Sequence, residues 1–149
     1  SGILVDISHA AESTFYDALE TSAYPIIASH SSARALCNHP RNLTDEQLKA
    51  LAKQGGVAQI CLYKGFINEE AEKASLTDAI RHINHIVDLI GIDHVGIGSD
   101  FDGATLPTYL NSPEKAAALY EYFLDQGMST ELAEGILFRN AEEFFEKNL

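Results

Sequence analysis

Apolar residues in this chain fall into short unbroken runs separated by longer amphipathic stretches. Four runs rich in Ile, Val and Leu read as buried strands: Ile3 to Ile7, Pro25 to Ser29, Gly56 to Tyr63 and His94 to Ser99. Each is followed by a helical pattern. The first helix is expected from Glu12 to Ser22. The second opens on a capping box, with Thr44 at the N-cap and Gln47 at the third helical position, and closes at Gly55-Gly56. The third spans Ser75 to Ile90, with Leu76, Ile80, Ile83, Val87 and Ile90 on one apolar stripe and Gly91 as its stop. Ser112-Pro113-Glu114 starts a fourth, and Ser129 a last one whose Leu132, Ile136, Leu137, Phe144 and Phe145 recur at helical spacing. Continuous apolar strands alternating with amphipathic helices predict an α/β fold of parallel β/α units. A closed eight-unit barrel takes roughly 250 residues, so four units fit a small open sheet or half a barrel.

Composition adds two exclusions. The 149 residues are 46% hydrophobic and 21% charged, enough for a buried core in a single domain covering 1–149. Ten Lys and Arg against 22 Asp and Glu give a net charge of −12, which disfavours nucleic acid and anionic lipid surfaces as partners. No apolar stretch approaches the ~18 residues of a membrane span, and the first residues lack the basic start and apolar core of a signal peptide. The compartment stays open. Cys37 and Cys61 form neither a disulfide framework nor a thiolate zinc motif.

Chemistry concentrates where the expected strands end, the position at which parallel α/β proteins build sites. The first strand finishes at Ser8-His9, the second at Ser29-His30-Ser31, the third at Tyr63 and the fourth at Asp100-Phe101-Asp102-Gly103. His9 and His30 stand one β/α repeat apart; on adjacent strands, ~4.8 Å from each other, they could share a metal ion or each bond a loop backbone. Asp100 ends the GIGSD run, whose small residues leave room for a ligand to approach. Its carboxylate could ligate a cation, move a proton or cap the next segment. Arg41, in the loop after the second strand, could clamp a carboxylate with its fork of donors or lie solvated. The remaining candidates read as structural: His82 and His85 on a helix remote from the strand ends, His94 at a strand start, Cys61 as a small core residue, and Asp6 as a hydrogen-bonding strand carboxylate.

Four segments together resemble the renal (membrane) dipeptidase family of zinc metallopeptidases: Val5-Asp6-Ile7-Ser8-His9, Ser29-His30-Ser31-Ser32-Ala33, Arg41-Asn42-Leu43-Thr44-Asp45 and Gly96-Ile97-Gly98-Ser99-Asp100-Phe101-Asp102-Gly103. The resemblance implies a TIM-like barrel of the amidohydrolase type, of which this chain matches the C-terminal half, strands five to eight. It implies hydrolysis of dipeptides by two zinc ions bridged by a carboxylate. It further implies that His9 and His30 hold the second zinc, that Asp100 lies beside the first and shuttles the proton, and that Arg41 grips the substrate's terminal carboxylate. The family's other ligands, an early His-x-Asp pair and a bridging Glu, have no counterpart in this sequence. Around Cys61 and Phe66 the chain departs from the family pattern, which bears on substrate detail.

Other readings compete: another two-metal amidohydrolase acting on a cyclic amide or ester, and a non-catalytic fragment that self-associates. Exposed strand edges favour homo-oligomers, and a charge of −12 opposes them.

Overall fold

The protein is described by a computed structural model covering residues 2–107, 111–116 and 118–149. At its centre is a parallel three-stranded sheet in the order β1 (Ile27–Ala28), β2 (Val57–Cys61), β3 (Val95–Gly98). Ile27 faces Val57 in register, and Ala58 to Cys61 face Val95 to Gly98. The N-terminal segment lies parallel beside β1, tied by Ile7 N–H to the Ile27 carbonyl (2.8 Å) and Ile27 N–H to the Val5 carbonyl (3.0 Å). The expected first strand is therefore corrected to a single bridge at Asp6–Ile27. Ile7 is buried, but Ile3 is 76% exposed and has no apolar cover to hold that end down. The other strands are shorter than the apolar runs. His94 leaves the fourth for a 3₁₀ turn (Ile92–His94) and donates from Nδ1 to the Gly56 carbonyl at 2.8 Å.

The helices follow the sequence signals closely. Helix α1 covers Glu12–Thr21, and α2 covers Asp45–Lys53 with the Thr44/Gln47 capping box formed in both directions. Gly55, at φ 86°, turns the chain out of α2 in a conformation open to glycine. A four-residue helix, α3 (Lys64–Ile67), lies in the loop after β2, where no helical periodicity is expected. Helix α4 (Leu76–Ile90) starts on a second capping box, Ser75 with Asp78, and stops at Gly91. After β3 come α5 (Pro113–Ala116) and α6 (Ala118–Asp125). The last helical run starts on Ser129, whose hydroxyl accepts from Leu132 N–H at 3.2 Å. It proceeds through α7 (Thr130–Glu134), a π-helical stretch (Gly135–Arg139) and α8 (Asn140–Asn148).

One continuous core fills the space between sheet and helices. Ile26, Ala28, Ala58, Ile60 and Val95 meet Leu48 and Leu51 of α2, Ile83 and Ile86 of α4, and Phe15 of α1. Helix packing thus fixes one side of the sheet and leaves the C-terminal strand ends to carry polar groups.

Candidate metal centre

His9 and His30 emerge from neighbouring strand ends and meet ring to ring. Their Nε2 atoms are 2.9 Å apart and the ring centroids 4.9 Å. His30 N–H also donates to Ser8 Oγ at 2.9 Å, joining the two strand ends through the residue before His9. Behind His30, Nδ1 contacts Ser29 Oγ at 2.7 Å, and Ser29 Oγ donates to Asp6 Oδ2 at 2.6 Å. The other Asp6 oxygen accepts the Ser8 and Ser29 amides, each at 3.0 Å. On the far side, Arg41 Nη1 lies 2.6 Å from His9 Nδ1.

Proton directions follow from the ends of this chain. A guanidinium only donates, so His9 Nδ1 accepts and its proton sits on Nε2. That proton points at His30 Nε2, so His30 carries its own on Nδ1 and gives it to Ser29, whose hydroxyl hydrogen goes to Asp6. These tautomers are assigned from the network. Burial is the largest influence on His30 and pushes its pKa below the usual histidine value. His9 and Arg41 push the same way, against the pull of Asp100 and Asp6. The ring is therefore neutral at pH 7, the form that ligates metals. Burial pushes the Asp6 carboxyl up, but bonds from Ser29 and Ser8 and the nearby His30 outweigh it and leave Asp6 below its ordinary value.

Arg41 is placed by its loop. Asn42, fully buried, accepts Ser32 N–H at 3.1 Å and donates to the Cys37 and Phe66 carbonyls at 2.9 and 2.8 Å. The guanidinium stacks over Phe66, 5.4 Å from the ring centroid. Its Nε and Nη2 are buried without a hydrogen-bond partner, an arrangement that invites an anion. Arg41, His9, Tyr63, Phe66, Asp100 and the Gly103–Thr105 backbone segment line one cavity of about 300 Å³.

Two non-glycine residues among those described have positive φ: His9 at 72° and Asp100 at 60°. Such conformations cluster where a site requires them, and here they fall on two candidate site residues. The Asp100 carbonyl accepts Gly103 and Ala104 N–H at 3.2 and 3.1 Å, fixing the turn. A side chain on Gly103 would strike Asp100 Oδ1. The expectation that the GIGSD glycines make room for a ligand is corrected at Gly98. A Cβ there would sit 1.7 Å from the Ser29 carbonyl oxygen, so protein backbone occupies that space.

The histidine pair fits a zinc ion in part. Zinc–nitrogen bonds of about 2.0–2.1 Å in a tetrahedral shell separate two nitrogens by roughly 3.3 Å, a small adjustment from 2.9 Å. Among the described residues no group of three or more His, Cys, Asp or Glu comes together as a metal shell. Asp100 lines the cavity without completing such a group.

The other candidates have structural partners. His82 is buried in α4, accepting Ala33 N–H at Nδ1 (3.0 Å) and donating from Nε2 to the Ile67 carbonyl (3.2 Å). His85 pairs with Asp45 at 2.9 Å. Burial pushes the Cys61 thiol up to about 11, leaving it unreactive. Sequence reading missed Ser29 and Asn42. Their adjacency to His30 and Arg41 was the available signal.

The sequence profile described as membrane dipeptidase (peptidase family M19) matches residues 1–147. The chain belongs to the membrane dipeptidase family. It is 39% identical over 142 residues to the dipeptidase tcpJ of Claviceps purpurea, covering 93% of this chain and 33% of that protein. It is 37% identical over 139 residues to an uncharacterized protein in the pqqA 5′ region of Klebsiella pneumoniae, covering 91% of this chain and 51% of the relative. The fold superimposes with a TM-score of 0.93 and 32% identity on a Rhodobacter sphaeroides metallo peptidase crystallised with a phosphinate mimic of the dipeptide L-Ala-D-Ala. That match covers 99% of this chain and 43% of the peptidase. The chain thus spans about half or less of the length of these family members. No described helix is long and apolar enough to cross a membrane.

Proposed function

We propose that this chain of the dipeptidase family supplies one wall of a two-zinc dipeptidase site, as the C-terminal half, strands five to eight, of a TIM-like barrel. The remaining ligands come from residues outside it. The carrying observation is the convergence of two imidazole Nε2 atoms at neighbouring strand ends, beside a cavity holding a carboxylate and a guanidinium with two buried, unpartnered donors. Bound zinc supplies Lewis-acid polarisation of the scissile carbonyl and activation of water.

The chain's own groups then take distinct roles. His9 and His30 are the ligands of one ion. Asp100, held by its left-handed turn at the mouth of the same cavity, accepts a proton from the attacking water and returns it to the leaving amine. Arg41 places its free donors on the terminal carboxylate of the dipeptide, and Phe66 beneath it keeps the fork in plane. The Rhodobacter peptidase, bound to a dipeptide mimic, supports this substrate class by likeness.

The test is zinc content after exhaustive dialysis, together with hydrolysis of a free dipeptide and its C-terminal amide, in this chain and in the longest form its gene encodes. The long form should hold two zincs and favour the free acid. Absence of bound zinc from both forms, or equal rates on acid and amide, overturns the reading.

A further inference from the structure

We infer that Asp6 and Ser29 are positioning residues for the metal, a carboxylate–hydroxyl relay that fixes the tautomer of His30 with Nε2 open for ligation. The inference rests on the two-zinc reading and assigns work to residues that this reading leaves idle. Asp6 would otherwise be only a tie between strand ends. Three distances carry the argument. Ser29 Oγ lies 2.7 Å from His30 Nδ1 and 2.6 Å from Asp6 Oδ2, while Asp6 Oδ1 takes the Ser8 and Ser29 amides at 3.0 Å. A carboxylate only accepts, so the Ser29 hydroxyl hydrogen is committed to Asp6 and the oxygen can only accept from Nδ1–H. The proton is thereby held on the nitrogen away from the ion. Metal-bound histidines depend on an acceptor behind the ring in this manner, and losing it costs about 10–100-fold in metal affinity.

The two amides that Asp6 also holds tie the first strand end to β1. A single carboxylate therefore sets the spacing of the segment ending in His9 and the tautomer of His30 together. Replacing Asp6 by Asn separates these duties. The Asn carbonyl oxygen can still accept both amides, but its NH₂ donates to Ser29 Oγ. The hydroxyl then turns its hydrogen toward His30 Nδ1, and the histidine proton is driven to Nε2, where it blocks ligation.

Zinc titrations against a chromogenic chelator, with thermal melts on the same samples, test the relay. Wild type is compared with His30→Ala, Asp6→Asn, Ser29→Ala and Ser29→Thr. We expect His30→Ala to weaken zinc most. Asp6→Asn and Ser29→Ala should weaken it about 10–100-fold with the melting temperature retained, and Ser29→Thr, which keeps the hydroxyl, should bind as wild type. In metal-free protein, ¹⁵N spectra should place the His30 proton on Nδ1 in wild type and in Arg41→Ala, and on Nε2 in the double variant Asp6→Asn/Arg41→Ala, where His9 is released from Arg41 and can accept at Nε2. Wild-type zinc affinity in His30→Ala overturns the metal reading, and the relay with it. A deficit in His30→Ala with wild-type affinity in Ser29→Ala, or an unmoved proton in Asp6→Asn/Arg41→Ala, overturns the relay alone.

Discussion

His30, at a strand end, and His82, inside α4, are both neutral and hydrogen-bonded, yet they are built for opposite ends. His82 has both ring nitrogens committed to backbone, one to Ala33 N–H and one to the Ile67 carbonyl. Nothing is left for chemistry. His30 has one nitrogen committed, to Ser29, and the other facing only His9 across 2.9 Å. Burial separates them further: His82 is 1% exposed in the core, whereas His30 is half-buried at a cavity wall. A histidine becomes a ligand by having an unclaimed nitrogen whose partner nitrogen is fixed, and becomes a latch by having none.

The comparison breaks most sharply at the chemistry. In the active enzyme, Asp100→Asn should reduce kcat by roughly a thousandfold, within the 10²–10⁴ range of general acid–base steps, while the protein remains folded. His82→Ala should leave zinc affinity unchanged and strike stability instead. It orphans two buried backbone groups and opens a cavity, for a loss of about 3 kcal/mol or more read by urea unfolding. Near-normal turnover of Asp100→Asn, or a zinc deficit in His82→Ala, would collapse the distinction.

A pH series sharpens the same contrast. Burial pushes His82 down to about 4, below the ordinary ~6.5 of an unfolded histidine. The unfolded chain therefore binds the proton first, so stability is full above pH 6.5 and falls as pH drops from there toward 4. The loss at its limit is roughly 3 kcal/mol. His82→Gln should flatten that segment of the stability curve. An unchanged slope would show that other groups carry it.

Sequence alone located most of this, for physical reasons that differ between the regions. Helix α2 was legible because its capping box and closing glycines are local, and α4 because a 15-residue amphipathic stripe is long. The first strand was overread: an apolar run signals burial, but Ile3 is 76% exposed and Val5 is only partly covered. His9, His30 and Asp100 were legible as polar residues ending apolar runs. Ser29 was not, because a serine before a histidine has no signature until the fold brings Asp6 beside it. Asn42 was hidden for the same reason: its three backbone partners lie 5, 10 and 24 residues away.

The smallest expected effect concerns His9, which differs from His30 in one respect. Its Nδ1 accepts from Arg41, so its proton sits on Nε2, the wrong side for a metal. Ligation by His9 Nε2 requires that proton to move to Nδ1, and two donors then face each other. On the proposed reading, a zinc ion held by His9 would displace Arg41 Nη1 from Nδ1 and add it to the Nε and Nη2 donors already open to a substrate carboxylate. In the proposed two-zinc site, zinc and Arg41 would compete for His9, and the positive guanidinium would oppose the cation as well. Arg41→Ala should bind zinc about tenfold more tightly, the equivalent of ~1.4 kcal/mol, a typical net value for one hydrogen bond. The same substitution should weaken free-acid dipeptides and leave amidated ones little changed, since the carboxylate has lost its partner. The two readouts move in opposite directions, which a general loosening of the loop would not produce. Zinc affinity that falls along with substrate affinity would show that Arg41 supports the metal rather than contesting it.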